Sequence, residues 1–315
     1  MTTAATSVVQ SLPHRRRHAF ALGFRRYARN RMALAGLCIF SFFVLLAVLA
    51  PLLARYNPEA TLFLPNDPPS LKHLLGTTQT GQDIFSQFVY GAQTTLAIGV
   101  FAGFGSTFIG LAIGMTAGYR GGLTDALLTT VTNIFLVMPI LALLIVIESY
   151  LGTSTPLVTG LIITVTGWAW GARVFRSQTM SLVGRDFIVA ARLSGMSAFR
   201  IMLQEIIPNM LSIIASNVMY ACIGAILAES GLAYLGFESV DSTSWGTMLY
   251  WAQAGGAMLT GSWWWFVPPG LAIALVGVSL ALMNFGIDAI TNPRLRSSGR
   301  RMAHGKRSRT ANLGA

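Results

Sequence analysis

Few side chains in this chain could do covalent or metal chemistry. Its four histidines, His14, His18, His73 and His304, fall in the tails or in one loop, and no phosphate-cradling GxxxxGK[ST] stretch occurs. Cys38 and Cys222 lie apart inside apolar runs, without a CxxC or metal-ligand spacing, and read as small buried hydrophobes. More informative are the polar groups set into apolar surroundings: Asn133, Glu148, Asn217, Glu229, Asn284 and Asp288. An acid inside a membrane span is costly and marks a candidate pathway or relay. Glu148 and Glu229 fall near the outer ends of their runs and are expected to pair or snorkel there, as is Asp288 near the inner face. Trp251, Trp263, Trp264 and Trp265 gather before the last apolar run, where an interfacial belt and a set of stacking faces for a passing sugar are both open readings. Glu148, Glu229 and Trp251 are therefore candidate pathway or outer-face residues. The last feature is a polar, glycine-broken segment, DFIVAARLSGMSAFRIMLQEIIPN (Asp186 to Asn209), between two long apolar runs.

The elements that carry these groups follow from composition. Of 315 residues 53% are hydrophobic and only 10% charged, against about a quarter in a soluble domain, so the chain is an integral membrane protein. A hydrocarbon core about 30 Å thick needs about 20 apolar residues in a helix. Six stretches meet this: Ala33 to Ala54, Thr94 to Gly118, Leu123 to Ile147, Leu157 to Val174, Leu211 to Ala228 and Trp263 to Gly286. The expected fold is all-α and polytopic, with six transmembrane helices and a cytoplasmic loop. Pro139, Pro268 and Pro269 fall inside such stretches, where packed neighbours re-satisfy the freed backbone groups. The run from Ala33 is too long, and starts too late, for a signal peptide.

Charge sets the expected orientation. The seven Arg before Ala33, Arg120, the five Arg from Arg173 to Arg200, and the seven bases from Arg294 to Arg309 fall in alternate segments, leaving Arg55 and Lys72 opposite. Both termini and the polar segment are thus expected on the cytoplasmic side. A net charge of +11 spread over one membrane face needs no nucleic acid. The chain divides into a basic tail (1–32), a six-span domain (33–290) holding the polar loop (176–208), and a second basic tail (291–315).

Locally, Asp186 to Leu193 has good helix formers, and Gly195 can take the left-handed conformation that closes a helix. Ser197 is a plausible N-cap for a second short helix to Ile206, and Pro208 can begin the next span. Phe187, Ala190, Ala191 and Ser194 share a face of small residues around one aromatic, which suits docking in a protein groove. Resting on lipid headgroups suits it as well.

The stretch VAARLSGMSAFRIMLQEIIPN resembles the cytoplasmic EAA loop of permease subunits in binding-protein-dependent ABC importers. Ala190, Ala191, Gly195 and Pro208 match in type and spacing, while Val189 stands where that pattern usually has Glu. HLLGTTQTGQDIFSQFVYGAQTTLAIG (His73 to Gly99) resembles a segment of the dipeptide, oligopeptide and nickel branch, second-permease type, departing at Gln79, Gln82 and Gln93. AILAESGLAYLGF and SWGTML resemble the same branch near its fifth span.

The resemblance implies a loop, built on Val189, Ala190, Ala191, Arg192, Gly195 and Pro208, that docks on a separate ATPase subunit. It also implies a second permease subunit, two ATPases and an extracytoplasmic solute-binding protein as partners, in the plasma membrane of a bacterium or archaeon. The chain itself would be neither enzyme nor cofactor protein, and no metal site is expected. The implied cargo is di- or oligopeptides, with oligosaccharides as the alternative, and a secondary carrier as the reading from another class. No His or Cys pair supports a nickel site.

Overall fold

The computed structural model describes residues 30–152, 154–239 and 241–291, with side chains described to residue 287. The tail arginines and Asp288 therefore lie outside the described residues or side chains. Helix α1 (Arg31–Val48) starts at Asn30, whose side chain accepts from the Met32 N–H at 3.0 Å, and a short α2 (Ala50–Leu53) follows with Pro51 in its first turn. After a loop, α3 (Ile84–Arg120) begins at Asp83, which accepts from the Ser86 N–H at 2.8 Å and, at 2.9 Å, meets the buried His73 ring. Its 37 residues span about 55 Å at 1.5 Å per residue, well beyond a bilayer core.

The third apolar stretch is not one straight span. Helices α4 (Gly122–Val137) and α5 (Ile140–Leu151) meet at 86°. Pro139 cannot donate, and it forces Met138 into an extended conformation (φ −71°, ψ 129°), which ends α4. Next, α6 (Pro156–Thr166) and α7 (Ala169–Val183) run on as one apolar stretch. Residues 176–183 of the expected polar loop thus belong to α7, and Arg176 pairs across to Asp125 on α4. The remaining elements are α8 (Asp186–Leu193), α9 (Ala198–Ile201), a π turn (Met202–Ile206), α10 (Ile207–Tyr234), α11 (Trp245–Ala254) and α12 (Trp263–Thr291). Among the described residues five helical stretches are long and apolar enough to cross a membrane, six when the bent pair α4–α5 counts as one span.

Helix α3 is the hub, packing on α7, α10 and α6, while α12 packs on α1 and α10. Glycines let the backbones close in. A Cβ on Gly110, Gly114 or Gly118 would meet the carbonyl oxygens of Trp168, Ala172 and Arg176 on α7 at 2.8, 2.3 and 2.7 Å. This four-residue spacing is the small-residue packing of membrane helices, where close van der Waals contact replaces a hydrophobic driving force. Trp245 locks the far end, its indole donating to the Phe88 carbonyl at 3.0 Å and its N–H to Thr95 Oγ1 at 3.1 Å. Cys222 is buried there, whereas Cys38 is exposed on the apolar outside of α1, contrary to the expectation that both are buried.

Candidate functional site

One end of the bundle is built by the segment from Arg185 to Asn209. Helix α8 closes with paired bonds: the Met196 N–H reaches the Ala191 carbonyl at 3.2 Å and the Gly195 N–H the Arg192 carbonyl at 3.0 Å. Gly195 takes φ +77°, the left-handed residue that this closure requires. Ile188 and Ala191 point inward, into a cluster with Met115, Phe175, Ile201, Ile206 and Met210. Ala191 therefore anchors the helix instead of sharing an outer face with Ala190. Outside, Phe187, Val189, Ala190 and Leu193 are exposed, Leu193 at 85%, and Phe199 adds to this apolar surface at 68%. Arg192 is engaged within the chain, its guanidinium 5.0 Å over the Tyr119 ring at the end of α3.

Ser197 starts α9 without a side-chain cap bond. The second short helix does not stop at Ile206. It widens into the π turn, where the Ile207 N–H bonds to the Met202 carbonyl, and continues as α10. Pro208 offers no N–H and its ring would crowd the carbonyl four residues back, so a wider turn lets the helix pass through the proline. Asn209 Nδ2 donates to the Glu205 carbonyl at 2.6 Å. Residues 198–234 thus form one 37-residue helical rod.

The opposite end holds the candidate acids. Glu148 and Glu229 are buried at 1% and 0% exposure, and neither forms an ion pair among the described residues, which corrects the expectation of pairing or snorkelling. Serines satisfy one oxygen of each: Ser154 donates to Glu148 Oε2, and Ser230 to Glu229 Oε2 at 2.9 Å. A third acid, Glu238, is equally buried after α10, where its residue bridges to Ser154 and Ser242 donates to Oε1 at 3.1 Å. Burial pushes the Glu238 carboxyl up to about 8, helped by the charges of Glu229 and Glu148. One oxygen of each of the three finds no partner among the described residues.

Sequence reading missed Glu238 because the residue falls outside any apolar run, and only a long-range bridge buries it. The tryptophans divide. Trp263 and Trp251 are half exposed, as an interfacial belt requires, but Trp265 is buried in the main core and Trp264 packs against it. Among the other embedded amides, Asn133 accepts from Arg173 at 2.8 Å and Asn217 from Thr107 at 3.1 Å, so both tie helices together. Beside Trp251 and Trp265 a cavity of about 600 Å³ opens between the 55–83 loop and α11.

Residues 110–297 match the family described as the binding-protein-dependent transport system inner membrane component. Residues 19–72 match the N-terminal TM domain of oligopeptide transport permease C. The chain is 31% identical over 276 residues to the dipeptide transport system permease protein DppC of Bacillus subtilis, covering 87% of this chain and 85% of that protein. It is 33% identical over 280 residues to DppC of Alkalihalophilus pseudofirmus, covering 87% and 90%. To the oligopeptide transport system permease protein OppC of Mycobacterium bovis it is 34% identical over 277 residues, covering 87% and 94%.

Proposed function

Because the chain belongs to the family of inner membrane components of binding-protein-dependent transport systems, we propose that it is one of two permease subunits in an ATP-driven importer of di- or oligopeptides. Relatives named for dipeptide and oligopeptide transport support peptides over oligosaccharides as cargo. The second permease, a pair of ATPases and an extracytoplasmic binding protein complete the machine. Its place is the plasma membrane of a bacterium or archaeon, with the Arg185 to Asn209 end and both termini in the cytoplasm.

The observation that carries this reading is the joining of an exposed apolar helix to a rigid rod. Phe187, Val189, Ala190 and Leu193 offer a surface to a cleft on the ATPase. The inward side of α8 is fixed to α3, α7 and the rod through Ile188 and Ala191. Movement of a docked ATPase would therefore be passed to the membrane helices, and nucleotide would bias a two-state equilibrium of the pathway. Each side chain has a plain part in this: Val189 and Ala190 touch the partner, Ala191 anchors, Arg192 holds α8 to Tyr119, Gly195 closes the helix and Pro208 shapes the rod.

The test is crosslinking in the assembled transporter. A cysteine at Ala190 should crosslink to the ATPase and change yield with nucleotide, whereas one at Leu62 at the other end, which is exposed, should not. A nucleotide-insensitive Ala190 with no crosslink to the ATPase would refute the docking role. Orientation is tested by fusing a reporter active only outside the cytoplasm, which should give signal near Ser242 and none near Arg200.

A further inference from the structure

The cavity at the end opposite α8 is lined by charges of one sign. Glu59 from the loop and Asp241 from the turn before α11 line it, and among the described residues no Lys, Arg or His does. One wall is an ordered amide network. Gln87 Nε2 donates to Gln82 Oε1 at 2.9 Å and to the Pro58 carbonyl at 3.2 Å, which uses both of its N–H groups. Gln82 Nε2 in turn donates to the Glu59 carbonyl at 3.4 Å. With its donors engaged, the Gln87 amide has only its carbonyl oxygen to offer a ligand. The other wall is formed by Trp251, Trp265, Met248 and Ala254. At about 600 Å³ the space falls within the range of small-ligand sites, about 300 to 1,000 Å³. Carboxylates and an acceptor carbonyl favour one kind of guest, a positively charged hydrogen-bond donor, and disfavour an anion.

We propose that this cavity is a charge-selective subsite at the outer mouth of the pathway, which receives the cationic group of a peptide as the binding protein releases it. The proposal rests on the importer reading. Gln79 and Gln82 line the cavity as neutral amides, so neither offsets the two carboxylates.

The complete transporter, reconstituted in liposomes, is supplied with binding protein saturated with alanyl-lysyl-alanine or with alanyl-glutamyl-alanine, and uptake rates are compared. Saturation removes the binding protein's own preference from the ratio. Two exposed charges predict that the lysine peptide enters about three- to tenfold faster. Glu59→Gln with Asp241→Asn should bring the ratio close to one. The ratio compares two substrates in one preparation, so partial loss of active complex cancels. Uptake of both peptides at an unchanged ratio in the double variant would overturn the subsite and leave the importer intact. Uptake of neither peptide by the wild type would overturn both.

Discussion

Substitution at Gly195 separates backbone conformation from bulk. The residue sits at φ +77° and nothing lies within 4 Å of a Cβ placed on it, so a side chain meets strain and no clash. An L-residue held in this region costs about 1–2 kcal/mol, and Asn less because its side chain bonds locally. That cost shifts the closed turn against an unwound one by about 5- to 30-fold. The two closing bonds, to the Ala191 and Arg192 carbonyls, are then lost and α8 tilts away from its anchor. Uptake per ATP hydrolysed, measured in the reconstituted transporter, should fall in the order Gly, Asn, Ala, Val, with Val down about fivefold or more. Membrane insertion and assembly should be normal across the series. Asn is larger than Ala, so a steric cause would reverse their order. Either that reversed order, or wild-type coupling in Gly195→Val, would refute the reasoning.

Within the hub, Gly114→Ala places a Cβ 2.3 Å from the Ala172 carbonyl oxygen, while Gly224→Ala meets nothing within 4 Å. The first should destabilise the detergent-solubilised subunit by about 1–3 kcal/mol and the second should not, as thermal unfolding will read. The Glu238 carboxyl, raised from 4.5 to about 8, binds its proton more tightly folded than unfolded. Its contribution to stability is fully present below about pH 4.5 and is lost as pH rises through about 8, so the melting temperature should drop across that window and Glu238→Gln should flatten the drop. At the docking surface Ala190→Trp should impair ATPase binding more than Val189→Glu, because an exposed charge is worth only about 0–1 kcal/mol. Equilibrium binding of the ATPase to both variants checks the order.

Much of this architecture can be read from the chain, and where reading stops has physical reasons. Apolar runs mark the spans because the bilayer demands length and apolarity, both local properties. Gly195 is legible for the same reason, since a left-handed closure is written into one residue and its neighbours. Pro139 is visible too, but whether a membrane proline kinks a helix slightly or bends it by 86° depends on the helices beside it. Arg173 and Arg176 count toward orientation by charge, yet Asn133 and Asp125 hold them on a helix, and those partners come from a distant stretch. The expectation that Ala190 and Ala191 share a face comes from spacing alone, whereas their split between outside and inside depends on Met115 and Phe175. The buried acids follow the same rule: the embedding of Glu148 and Glu229 is visible in their apolar flanks, while Glu238 joins them only through the Ser154 bridge.

The unbroken helix from residue 198 to residue 234 carries an evolutionary consequence. With no linker between its ends, a residue inserted or deleted outside the π turn turns everything beyond it by about 100° and moves it by about 1.5 Å along the axis. Phe199 and Glu229 would then no longer address their own neighbours at the same time. An exposed loop can absorb a change of length, but this segment drifts mainly by substitution. Natural length variants of the chain should avoid it altogether, unless they add or remove close to a whole number of turns.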